Sequence, residues 1–90
     1  MNNTRRKELD RIGERVQSLH ADLSDIKDSV SAVRDEEQDY LDNMPESMQD
    51  GEKAQKAQDA IDALENAVST IEGAETCLND VGNSFEEARG

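Results

Sequence analysis

From Leu9 to Val33 an apolar residue returns every three or four positions, without a break: Leu9, Ile12, Val16, Leu19, Leu23, Ile26, Val30 and Val33. Alternating steps of three and four keep side chains on one stripe of an α-helix, and no strand has that period. The pattern continues more weakly through Glu37, Tyr40 and Met44. It predicts one long amphipathic helix that buries its stripe against another helix. Asn3 or Thr4 is placed to cap its start. The acids at Asp35, Glu36, Glu37, Asp39 and Asp42 lie at its far end, where they oppose the helix dipole. Frayed last turns, or turns held by something else, are therefore expected.

The break comes at Asp42-Asn43-Met44-Pro45, because a proline denies its predecessor helical geometry. Pro45 to Gln49 can form one further turn, with Met44 and Met48 folded over the end as a lid. Asp50 is then the expected cap of a second helix. There Ala54, Ala57, Ile61, Leu64, Val68 and Ile71 again step by three and four, and Leu78 and Phe85 resume the register after Glu75. A surplus row, Ala60, Ala67, Ala74 and Val81, makes this apolar face wider than a two-helix seam requires. Gly73, Gly82 and Asn83 weaken its last third. The expected organisation is one all-α domain over residues 1–90: helix 4–43, elbow 44–49, helix 50–88. Two helices of about 39 residues, on the order of 58 Å each, joined by a short connection must pair antiparallel. The surplus row predicts that two such hairpins dimerise into a four-helix bundle.

Composition supports a thin structure. One Tyr, one Phe and no Trp leave nothing to fill the centre of a globule. The lone Cys77 has no internal partner and is flanked by Glu75 and Asp80, so it reads as a small helix residue and not a reactive thiol. No run approaches the roughly 20 apolar residues that span a bilayer, and the basic start has no apolar stretch behind it to make a secretory signal. A cytoplasmic protein is expected.

The net charge of −12 is unevenly spread. Residues 1–20 carry five bases (Arg5, Arg6, Lys7, Arg11 and Arg15) against three acids. Residues 21–50 carry ten acids against Lys27 and Arg34, and residues 51–90 nine acids against three bases. Direct contact with nucleic acid or an anionic membrane is disfavoured over most of such a surface, and a basic protein partner is favoured. The basic start is expected to lie beside Asp80, Glu86 and Glu87 in the antiparallel hairpin. Exposed acids off the first seam, foremost Asp22, Asp25, Asp35, Glu36 and Asp39, are the candidate partner-binding residues. Ala60, Ala67, Ala74 and Val81 are the candidate dimer interface.

Catalytic and metal-binding patterns are lacking. His20 is the single His and flanks Leu19 at the seam edge, so paired Glu-x-x-His ligand motifs cannot be assembled. The acid-rich stretch from Asp35 to Asp50 has Leu41, Met44, Pro45 and Met48 where a calcium loop needs oxygens. There is no phosphate-cradling glycine loop and no Gly-x-Ser-x-Gly elbow. No enzyme activity, cofactor or metal is expected.

The text Asp35-Glu36-Glu37-Gln38, then Asp42-Asn43-Met44-Pro45-Glu46-Ser47-Met48-Gln49, then Ala60-Ile61-x-x-Leu64-x-x-Ala67 resembles a group of short helical proteins of phages and prophages. The likeness extends to Arg5-Arg6-Lys7-x-Leu9. It implies a phage origin and a helical architecture. Small accessory phage proteins are often inhibitors of host systems, an argument by association. The leading expectation is a non-catalytic inhibitor or modulator of a host machine, of the anti-CRISPR kind, acting through an acidic helical face. The alternative is a structural or assembly bundle whose charge serves solubility. A sponge for small nucleotides fits poorly, because the acids would repel phosphates.

Overall fold

The computed structural model describes residues 1–90 as two long helices folded back on each other. Helix α1 spans Asn3–Asp42, a single 3-10 turn covers Glu46–Met48, and α2 spans Glu52–Arg89. The Cα atoms fill a rod of 70 × 14 × 12 Å with a radius of gyration of 20.2 Å. A compact domain of this length would have a radius near 12 Å. The antiparallel hairpin is therefore as elongated as the paired periodicities require.

The helix ends differ in detail from the sequence expectation. Asn2, not Asn3 or Thr4, caps α1, its Oδ1 accepting from the Arg5 amide at 2.9 Å. The acid-rich end of α1 is held. Asn43 Nδ2 donates to the Asp39 carbonyl at 2.8 Å, and Gln38 Nε2 to Asp42 Oδ1 at 2.9 Å. Helix α2 begins after Gly51, with no side-chain capping bond, so Asp50 does not act as its cap. Gly73 and Gly82 lie inside an unbroken helix. Packing along the whole hairpin outweighs their weak propensity.

Burial is concentrated at the elbow. Only Met44, Ala54, Ala57 and Ile61 are buried, four of ninety residues, and along the rest of the hairpin the seam residues are only partly shielded. Met44 closes the end of the seam, whereas Met48 is 42 % exposed. The lid is one methionine, not two. Small alanines at positions 54 and 57 let α1 approach closely enough to cover Ile61.

Helix α2 uses the inner rows expected of it. In α1 the seam is rotated. The residues shielded by α2 include Leu9, Gly13, Val16, His20, Leu23, Lys27, Val30, Arg34, Glu37, Leu41 and Met44, again in steps of three and four. Leu19, Ile26 and Val33, expected in the seam, are 51, 50 and 53 % exposed, and Tyr40 is exposed beside them. The heptad count was sound, but it cannot say which flank of the stripe faces the partner. Lys27 and Arg34 turn inward because α2 offers them carboxylates in register.

Candidate functional site

The rotation gives the hairpin two unlike sides. On one side the helices are laced by charge. Arg34 Nη2 and Nε donate to Glu65 Oε1 at 2.7 and 3.1 Å, and Arg34 Nη1 donates to Asp35 Oδ1 at 3.0 Å. Lys27 Nζ lies 2.8 Å from Glu75 Oε1, an oxygen shut off from solvent, with His20 Nε2 3.9 Å from Glu75 Oε2. His20 thus faces α2 and does more than edge the seam. The Glu75 contact raises the Lys27 pKa above its ordinary 10.5, chiefly through the hydrogen bond. The contact with Glu65, then that with Asp35, raises the Arg34 pKa above its usual value. Nearer the termini Arg89 Nη2 donates to Asp10 Oδ2 at 3.0 Å, with Nε 2.8 Å from Oδ1.

The other side is apolar and open. Ile26, Val30 and Val33 of α1 share one shallow patch with Leu64 of α2, and Ile12, Val16 and Leu19 line the next patch toward the N-terminus. In an antiparallel pair, corresponding flanks of the two helices lie on the same side. The row Ile12, Leu19, Ile26, Val33 and Tyr40 therefore runs along one margin of this side, and Ala60, Ala67, Ala74 and Val81 along the other. The three alanines are half-buried and Val81 is exposed. Sequence reasoning found the α2 margin and missed the α1 margin. Its signal was the competing row Gly13, His20, Lys27, Arg34 and Leu41, also spaced by seven.

All five acids singled out in α1 are exposed. They spread over about 26 Å of helix, Asp22 to Asp39, and do not converge on a point. Asp22 and Glu36, fourteen residues apart, flank the exposed apolar row. Asp25 and Asp39 stand one step further out, and Asp35 lies beyond them on the far face. Only Asp35 is paired, by Arg34; the other four side chains make no intramolecular bond.

The basic start does not meet the acids expected beside it. No ion pair joins it to Asp80, Glu86 or Glu87. Arg6 alone turns inward, its Nε donating to the Arg89 carbonyl at 2.9 Å, and Arg11 pairs with Glu8 one turn before it. The helical phase sends Arg5, Lys7, Arg11 and Arg15 away from α2, and Arg5, Lys7 and Arg15 make no ion pair. Cys77 is exposed. No group of three His, Cys, Asp or Glu side chains is placed to hold a metal ion. No helix is long and apolar enough to cross a membrane. The chain matches no protein-family model, no curated protein and no solved structure.

Proposed function

We propose that this chain is a non-catalytic, phage-type binding protein that modulates a host protein machine by presenting an acidic helical rod to a basic partner. The observation that carries the reading is the state of Asp22, Asp25, Glu36 and Asp39. They are exposed, spend no charge on the fold, and lie on a straight helix that fixes their spacing. Such a row can occupy a channel built for phosphates, in the manner of an anti-CRISPR-like inhibitor of a nucleic-acid-binding defence protein. Acids placed where they oppose a helix dipole also act against stability, which points to use elsewhere.

The test is capture from a bacterial lysate with the native chain and with one in which Asp22, Asp25, Asp35, Glu36 and Asp39 are changed to Asn or Gln. A nucleic-acid-binding protein retained at low salt by the native chain alone, and released as salt rises, supports the reading. Equal retention by both chains at physiological salt rules out the acidic mechanism. The melting temperature of the substituted chain should be unchanged or higher.

The working unit in this reading is a homodimer. The open apolar side supports it, and with it the alternative role of a structural or assembly bundle. Four buried residues leave a lone hairpin with little stabilising burial. Light scattering should give twice the 10.0 kDa chain mass. Ala67→Glu should halve that mass while leaving the spectrum helical.

A further inference from the structure

We infer that the open apolar side receives a second copy of this chain in one orientation: elbows at opposite ends, α1 against the partner's α1, and α2 against the partner's α2. The inference rests on the homodimer reading and adds the contacts that define it.

A two-fold axis can place one hairpin on another face to face in two ways. With elbows together, α1 lies over the partner's α2 and equal levels of the rod coincide. With elbows opposed, each helix lies antiparallel on its own copy. Charge separates the two. Residues 24–74, the elbow half, carry fourteen acids and four bases. The terminal half, residues 1–23 and 75–90, carries eight acids and six bases. Elbows together would stack two halves of net charge −10 on each other. Elbows opposed would set each of them over a half of net charge −2.

The rows on the open side also fit their own reversal. The spaced residues Ile12, Leu19, Ile26, Val33 and Tyr40 are symmetric about Ile26. Turned end for end, Ile26 meets Ile26 of the partner subunit, Leu19 meets Val33 of the partner subunit, and Ile12 meets Tyr40 of the partner subunit. The same register brings Arg15 within one residue of the level of Glu36 of the partner subunit and Arg11 within two residues of the level of Asp39 of the partner subunit, offsets of about 1.5 and 3 Å that long side chains span. Arg15 and Glu36 both flank the apolar row and are both exposed and without an ion pair in the single hairpin. The charges of α1 that the hairpin leaves unused are thus complementary across the axis. On the other margin Ala67 and Ala74 interleave with the same alanines of the second copy, where small side chains permit close helix approach.

The size is sufficient. About 50 Å of helix overlaps in this register. Over a Cα width of 14 Å plus side chains, that is on the order of 700–1,000 Å2 per copy, beside about 800 Å2 per partner in a standard stable complex. Asp22, Asp25, Glu36 and Asp39 then all lie along the rim of the dimer, Glu36 and Asp39 near arginines of the partner subunit and Asp22 and Asp25 unpaired, while Asp35 stays on the open far face.

Two experiments on the full chain test this. In a Cys77→Ser background, Ile26→Cys should form a disulfide-linked dimer quickly under mild oxidation, because the axis passes between the two copies of that position. Separately, Arg15→Glu should raise the dimer dissociation constant on the order of tenfold at low salt. Adding Glu36→Arg to it should restore the native value. About 31 Å of helix separates the two positions within one chain, so such rescue must come from the second copy. Both changes are on exposed positions, and circular dichroism will show whether the helices persist. A dimer in which Asp22→Cys cross-links to native Cys77 while Ile26→Cys does not cross-link would establish elbows together and overturn this inference alone. A strictly monomeric native chain would overturn the homodimer reading along with it.

Discussion

Lys27 Nζ lies 2.8 Å from Glu75 Oε1 where the helices of a purely apolar hairpin would bring two aliphatic side chains together. The carboxylate oxygen is shut off from solvent, and the ammonium is the charge that stands against it. Removing one member should therefore be worse than removing both. Lys27→Met should lower the thermal midpoint, and Lys27→Met with Glu75→Leu should recover or exceed the native value. Additive losses in the double variant would show that the pair is not coupled.

The same contact sets a pH dependence. Lys27 has a folded pKa above the ordinary 10.5, so its stabilising contribution is complete below that value. It is lost as pH rises through the raised folded value. A melting-temperature profile of native chain against Lys27→Met should show a constant gap at neutral pH that closes only in strong alkali. A gap closing below pH 10 would contradict the assignment.

At the elbow the two methionines should behave differently. Met44→Asp should destabilise the hairpin by roughly 1–3 kcal/mol, the cost of exposing a large apolar side chain, because Met44 is 8 % exposed. Met48→Asp should change little. Urea melts of the two variants decide this, and equal losses would mean that both methionines form the lid.

The glycines inside α2 are replaceable. A Cβ at Gly73 or Gly82 meets nothing within 4 Å, and at Gly13 it would make an ordinary 3.9 Å contact with Phe85. Each Gly→Ala change should raise stability by up to about 1 kcal/mol through helix propensity. The two lie on opposite sides of α2, nine residues apart, so a loss at either would reveal a contact at that position that the hairpin alone does not make.

The chain's local chemistry determined the fold. The three-four periodicity on both sides of Pro45 required two helices, the short elbow required them to be antiparallel, and the lack of large rings required a rod. The apolar row of α2 was likewise legible, because Ala54, Ala57, Ile61 and Leu64 have no competing row of equal strength. The exposed acids of α1 were legible too, since any residue well off the stripe must face solvent. Only tertiary structure decided which flank of the α1 stripe turns inward. Leu19, Ile26 and Val33 form as good a row as any that a single helix can display. They lost the seam to His20, Lys27 and Arg34 because Glu65 and Glu75 stand opposite those positions, more than thirty residues away in sequence. A helix fixes which of its residues share a face through its own backbone geometry. Which face meets another helix depends on the partner's side chains, and that selection gives this hairpin one charged side and one apolar side.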